Sequence, residues 1–214
     1  MSLLDVLHGQ LVFEHRVDRL ADALAARLPP NATVLDIGCG DGSIADAILQ
    51  RRGDLSITGV EVLVREATCI PVTEYDGSTL PFPDDGFDAV CLIDVVHHCD
   101  DPQRLLSEAA RVSRDVMLIK DHVADGFLAV PTLKLMDWIG NARHGVRLPY
   151  NYLTAADWHE HFRQACLTVR GWDTNVRLYP QLLSVLFGRG LHVIIDLVTG
   201  KSTCTFADTD GPGI

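Results

Sequence analysis

Positive charge is scarce in this 214-residue chain: 18 Lys and Arg stand against 29 Asp and Glu, a formal net charge of −11. That sign argues against broad electrostatic binding to nucleic acid. Arg143, His144 and Arg147 form a local basic cluster all the same. Long hydrophobic runs are missing too. No segment approaches the ~20 apolar residues of a membrane-spanning helix. The first residues are weakly apolar, are interrupted by Asp5 and His8, and lack the basic start of a secretory signal, so a cytoplasmic protein is expected. Closely spaced cysteine pairs are absent. Cys39, Cys69, Cys91, Cys99, Cys166 and Cys204 are scattered with no C-x-x-C, which argues against structural zinc and for a reducing compartment. Repeats are absent as well. What remains is ordinary for a globular protein, 47% hydrophobic and 22% charged, and the length fits a single domain over 1–214.

The most informative stretch is Val34-Leu-Asp-Ile-Gly-Cys-Gly-Asp-Gly42. Val34, Leu35 and Ile37 read as a short strand, the glycines as a sharp turn, and the run from Ser43 as an amphipathic helix. Such a layout brings a ligand against bare backbone at a helix N-terminus. Asp36 sets a negative charge just before the turn. It disfavours phosphate and favours a cationic or hydroxyl-bearing ligand.

The rest of the chain alternates. A helix is expected over 13–28, then strands near 33–37, 56–60, 71–75, 87–93 and 116–119, with a helix capped by Asp100 or Asp101 before the last of these. A short segment joins Glu61 to Asp76. Alternating strands and helices imply a doubly wound, mostly parallel α/β sheet that binds ligand beyond the carboxyl ends of its strands. Asp36, Glu61, Asp76 and Asp94 all fall at such ends. The alternation breaks over 122–153, where an apolar helix (Leu133, Leu135, Met136, Trp138, Ile139) and a loop are expected to cover the ligand edge as a lid. Thr154 caps a further helix, strands follow at 167–176 and 191–198, and residues 201–214 read as a loose tail.

A dinucleotide and S-adenosylmethionine compete for the glycine turn. The dinucleotide fingerprint G-x-G-x-x-G fails at its third glycine, where Ser43 stands. Asp36 would crowd a pyrophosphate but suits an α-ammonium group.

At this point the chain resembles the class I S-adenosylmethionine-dependent methyltransferases, in particular the small-molecule branch of ubiquinone and menaquinone biosynthesis. The residues that carry the likeness are the glycine block, Asp76-Gly-Ser-Thr-Leu-Pro-Phe-Pro-Asp-Asp-Gly-Phe-Asp-Ala-Val90, and Val95-Val-His-His-Cys-Asp-Asp-Pro102. The resemblance implies a seven-stranded Rossmann-like fold and a cofactor cradle. In it Asp36, Gly38, Cys39 and Gly40 border the methionine part and Glu61, next to Val62, holds the ribose. Asp76 and Gly77 meet the adenine, and Asp94 and Val95 line the sulfonium region. The glycine-rich turn usual before strand five is replaced by Ser113-Arg-Asp, and the segment between Glu61 and Asp76 is shorter than usual, so its helix is expected to span only about one turn.

Methyl transfer from a sulfonium needs a base only if the acceptor carries a proton that must leave. His97, His98, Asp121 and His122 are the candidates, and His98, Asp121 and His122 are chosen. A divalent ion held by Asp94, Asp121 and His122 or His98 is weighed as a variant, but no metal is expected. Trp138, Arg143, Tyr150 and Tyr152 are expected to meet an aromatic or isoprenoid-like small molecule. The segment 178–190 reads as a homodimer contact or a pocket wall. The resulting expectation is O- or C-methylation of a small molecule. The alternative is a protein that binds S-adenosylmethionine without catalysis.

Overall fold

The computed structural model describes residues 3–141, 149–176, 178 and 190–200. Arg143, His144 and Arg147, most of the segment 178–190, and the tail 201–214 lie outside the described residues. Seven strands form one sheet in the order β3-β2-β1-β4-β5-β7-β6. They are β1 Thr33–Ile37, β2 Ser56–Glu61, β3 Val72–Glu74, β4 Phe87–Ile93, β5 Ser113–His122, β6 Leu167–Asp173 and β7 His192–Thr199. β7 runs antiparallel to both its neighbours, and the other pairings are parallel.

The period-two alternation of β1 sorts the two layers. Leu35 and Ile37 pack with Leu105, Leu106 and Ala109 of α3 (Pro102–Val112) and with Trp158 and Phe162 of α5 (Ala155–Gln164). Val34 packs on the opposite face with Leu20 and Leu24 of α1 (Leu3–Ala25) and Ala45 and Ile48 of α2 (Ser43–Arg51). Alternation puts Asp36 on this second face. The sheet is thus covered on both sides, as the sequence pattern requires.

Caps fix where the helices begin. Asp101 accepts from the backbone N–H of Arg104 with Pro102 in the first turn, and Thr154 forms a capping box with Asp157. Three expectations about the helices and strands need correction. α1 begins near Leu3, ten residues before the expected start. Residues 62–71 form bends and no helix, because Pro71 and the short connection leave β2 and β3 directly adjacent. β5 starts at Ser113, directly after α3, so Ser113 and its neighbours belong to the strand and not to a turn. The fourth helix, α4, spans Ala129–Asn141 within the predicted insertion. Cys166 is disulfide-bonded, against the expectation of reduced thiols throughout, while Cys39, Cys69, Cys91 and Cys99 are free.

Candidate functional site

The carboxyl ends of β1, β2, β3 and β4 converge as predicted. The glycine turn uses left-handed backbone at Gly38, Gly40 and Gly42 (φ 69, 60 and 79°). At Gly38 a Cβ would also sit 2.6 Å from Val95 Cγ2, so the turn and the end of β4 fit together only with glycine there. The Glu61 carboxylate crosses to this turn: Oε2 accepts the Gly40 N–H at 2.9 Å, and Oε1 accepts the N–H of Val62 at 2.8 Å. Beside them opens a cleft of about 480 Å³. Of the predicted cofactor residues, Gly38, Glu61, Val62, Asp76, Gly77 and Val95 line it, together with His98 and Tyr75. Asp76 Oδ1 accepts from the N–H groups of Ser78 and Thr79, which hold its carboxyl down at about 2.

The other predicted cofactor residues stand back from the cleft wall. Asp36 is buried, and its Oδ1 has no hydrogen-bond partner. Burial, and then the charge of Glu61, push its carboxyl up to about 7. Cys39 packs its sulfur over Gly59, and burial followed by the charges of Asp36 and Glu61 pushes its thiol up to about 12, so it is no nucleophile. Gly40 sits in the turn with open space where a Cβ would be. Asp94, at left-handed φ 56°, gives its carboxylate to Lys120 and Arg16. Burial would raise the Asp94 carboxyl, but those two cations hold it far below the usual range. The metal variant built on Asp94 and Asp121 is therefore not assembled. Lys120 and Arg16 occupy the first carboxylate, and internal bonds occupy the second.

The acid–base candidates separate. His98, in a 3₁₀ turn over Val96–His98, reaches the cleft; burial first and the charge of His97 second lower its pKa. Asp121 is 1% exposed. Its Oδ2 accepts the N–H of Val96 at 3.0 Å; its Oδ1 accepts the N–H of His122 at 2.7 Å and lies 2.6 Å from His97 Nδ1. His122 is not in a loop after β5 but is the strand's last residue, its ring 4.6 Å from that of His97 and 5.0 Å from that of His192. Its backbone carbonyl accepts from the Trp158 indole at 3.1 Å. The placement of Asp121 and His122 at the cleft is thus corrected: β5 runs further than expected and carries both into the interior.

Sequence reading left His97 unchosen and missed Asp137, Lys120 and Arg16. His97 is buried between Asp121 and Asp137. Burial alone would lower its pKa, but the charge of Asp121, contacts with Asp121 and Asp137, and the charge of Asp94 raise it to about 10. A lone carboxylate in an otherwise apolar helical run was the available signal for Asp137. Of the predicted substrate residues, Tyr152 gives its hydroxyl to Asp137, and Tyr150 lies beside it with rings 6.2 Å apart. Trp138 is exposed on α4, and Arg143 lies outside the described residues. The N–H of Asn151 donates to the carbonyl of His97 and its side chain to that of Cys99, fastening the segment after α4 onto the 3₁₀ turn.

A glycine turn at a helix N-terminus, ringed by strand-end carboxylates on this strand order, defines a Rossmann-like nucleotide-binding scaffold of the methyltransferase kind. A family model described as a methyltransferase domain matches residues 10–170. The 27-O-demethylrifamycin SV methyltransferase of Amycolatopsis mediterranei is 34% identical over 116 residues, 47% of this chain and 42% of that protein. The ubiquinone/menaquinone biosynthesis C-methyltransferase UbiE of Cupriavidus metallidurans is 25% identical over 168 residues, 70% of this chain and 68% of that protein. This chain therefore spans under half of the first relative and about two thirds of the second. A solved S-adenosylmethionine-dependent methyltransferase of Thermotoga maritima, described as a possible histamine N-methyltransferase, superposes with a TM-score of 0.62 at 19% identity, over 92% of this chain and 96% of that one. At that identity the likeness concerns the fold. The chain belongs to the class I S-adenosylmethionine-dependent methyltransferases.

Proposed function

We propose that this chain transfers the methyl group of S-adenosylmethionine to an oxygen or carbon of a small molecule. The observation that carries the reading is Asp36: a buried carboxylate with an unpartnered Oδ1, on the strand leading into a glycine turn that borders a cleft. Leaving such a group unmatched costs about 1–3 kcal/mol or more. An ammonium-bearing ligand removes that cost, and the residues present fit S-adenosylmethionine on this ground.

When bound, the sulfonium supplies a methyl carbon already activated for in-line displacement. The chain's residues bind and orient. Asp36, Gly38, Cys39 and Gly40 border the amino-acid part, the last three through backbone. Glu61 turns from the Gly40 N–H to the ribose hydroxyls. Val62, Asp76 and Gly77 hold the adenine, and Val95 backs the sulfonium. Asp94, fixed by Lys120 and Arg16, gives that region a neutralised polar wall. His98, the one chosen acid–base candidate on the cleft, meets the acceptor with a neutral imidazole whose lone pair receives a proton or an electrophile. Asp121 and His122 act through others as positioning residues.

Residues 122–153 serve as the acceptor's cover. Phe127, Leu128, Val130, Leu135 and Trp138 expose apolar surface there, which suits an aromatic or isoprenoid-like acceptor, with Tyr150 and Tyr152 at its edge. Arg143 supplies a cation for an acidic group on it. Among the described residues no helix is long and apolar enough to cross a membrane, which fits the proposed cytoplasmic location.

Calorimetry with S-adenosylmethionine and NADH tests the cofactor. A label-transfer assay with methyl-tritiated S-adenosylmethionine over a panel of phenols and quinols tests the reaction. Binding of NADH in place of S-adenosylmethionine overturns the reading at its base. Cofactor binding with no transfer to any acceptor leaves a binding protein.

A further inference from the structure

α4 meets the 3₁₀ turn through polar atoms, two of which have no partner. His97 Nε2 and His98 Nδ1 are both buried and make no hydrogen bond. The Asp137 carboxylate lies beside them, with Oδ1 at 3.5 Å from His97 Nε2. One donor atom from each of His97, His98 and Asp137 lies within 4.8 Å of the other two. A separation of 3.5 Å is long for a hydrogen bond, whose usual N···O distance is about 2.9–3.0 Å. It suits two ligands sharing one ion: bonds of roughly 2.0–2.1 Å at a tetrahedral angle leave donor atoms about 3.4 Å apart.

We propose that His97 Nε2, His98 Nδ1 and the Asp137 carboxylate form a binding site for a divalent first-row transition-metal ion. Two imidazoles and one carboxylate favour zinc, cobalt, iron or manganese over magnesium or calcium, which take oxygen ligands. The surroundings are those a metal site needs. His97 Nδ1 is 2.6 Å from Asp121 Oδ1, so an N–H donated there leaves the Nε2 lone pair for the ion. Asp121 is itself held by the N–H groups of Val96 and His122. Tyr152 donates its hydroxyl to Asp137 Oδ2 and so orients the carboxylate. The neighbouring group of His97, Asp121 and His122 is not the site, because both imidazoles already lie against one Asp121 oxygen, at 2.6 and 3.3 Å.

The plainer account is a protonated His97 bridging two aspartates. It satisfies His97 but leaves His98 Nδ1 buried with nothing to bond, whereas an ion satisfies both rings and Asp137 together. Three protein donors leave a fourth position open, as catalytic metal sites do. His98 also lines the cleft. On the methyl-transfer reading, the open position takes an oxygen of the acceptor, and His98 then acts as ligand and not as base. The site itself does not rest on that reading.

The test uses the full chain, free of any affinity tag and stripped with a chelator, titrated with cobalt(II) chloride. We expect one equivalent to bind by calorimetry and to give visible d–d absorption with imidazole ligation. Asp137→Asn and His98→Ala each weaken binding at least 100-fold, and Tyr152→Phe weakens it about 10–100-fold. His159→Ala, at an exposed histidine, leaves the affinity unchanged. Circular dichroism confirms the folded state of each variant, and Tyr152→Phe keeps the test decisive should Asp137→Asn fail to fold. Absence of an equimolar cobalt complex, or equal affinity in the folded Asp137→Asn and His98→Ala variants, overturns the proposal. Cobalt binding without any methyl transfer sustains the site and overturns the functional reading; transfer that persists in a chain unable to bind cobalt does the reverse.

Discussion

Glu61 closes on the glycine turn it is expected to serve: its Oε2 accepts the N–H of Gly40 from the end of the neighbouring strand, at 2.9 Å. The same carboxylate therefore holds the turn in shape and, on the proposed reading, also receives the ribose hydroxyls. Glu61→Ala removes both functions. Its affinity for S-adenosylmethionine should fall about 10–100-fold, since a charged hydrogen bond contributes roughly 1.5–3 kcal/mol. Glu61→Gln should keep the turn and lose less. Calorimetry on the two variants decides this, and undiminished affinity in Glu61→Ala would remove Glu61 from the site.

Asp36 should make the cofactor-free protein lose stability as pH rises. Burial and Glu61 raise its carboxyl to about 7, above the ordinary value near 4 of the unfolded chain. Between about pH 4 and 7 the folded state thus holds a proton that the unfolded state has released. Stability attributable to this group is fully present below pH 4 and falls through that window, by at most about 4 kcal/mol. Asp36→Asn should flatten this part of the curve and be the more stable protein at pH 8 without cofactor, while binding S-adenosylmethionine at least 10-fold more weakly. Urea unfolding at pH 5, 6, 7 and 8 measures the first effect and calorimetry the second. A variant that follows the parent's pH curve would show Asp36 to be unburied in solution.

Most of the fold around the glycine turn was legible because its signals are local. A glycine that must take positive φ, an aspartate before a proline at a helix start, and apolar alternation in β1 each fix their own geometry. The arrangement around β5 and α4 was not legible, because its key contacts join residues far apart in sequence. Asp121 looked like a strand-end residue, yet β5 continues one residue past it and buries it against His97. Nothing near Asp137 in sequence indicates that it will meet His97, forty residues earlier. Lys120 reads as a surface cation by type, and only the convergence of Asp94 and β5 turns it inward. The lost helix between Glu61 and Asp76 is a further case: loop length alone could not decide between one turn and a series of bends.

Gly38 should tolerate no side chain. A Cβ there would meet Val95 Cγ2 at 2.6 Å, and φ at 69° adds the left-handed penalty of about 1–2 kcal/mol for a residue with a side chain. Gly38→Ala is expected to destabilise by about 2–4 kcal/mol, combining that penalty with the clash. Adding Val95→Ala should recover the steric part and leave the backbone part. Chemical denaturation of the single and double variants separates the two, and a double variant no better than Gly38→Ala would mean that the contact is relieved by other means.

Lys120 and Asp94 should behave as a pair whose halves are costly to separate. The Lys120 side chain is fully buried and reaches the Asp94 carboxylate, which Arg16 also approaches from α1. Burial lowers the Lys120 pKa, partly opposed by Asp94, so the ammonium depends on its partner to stay charged. Removing one member of a buried pair costs about 3–5 kcal/mol, because the other is left without compensation. Asp94→Asn strands the lysine in this way and should lower stability by that amount, since Asn tolerates the positive φ at this position. Lys120→Met should cost less, because Arg16 still faces Asp94. The double variant should lie closer to Lys120→Met than to the sum of the two singles. A double-mutant cycle by urea unfolding reads the coupling directly, and strictly additive losses would mean that the two charges do not interact in the folded protein.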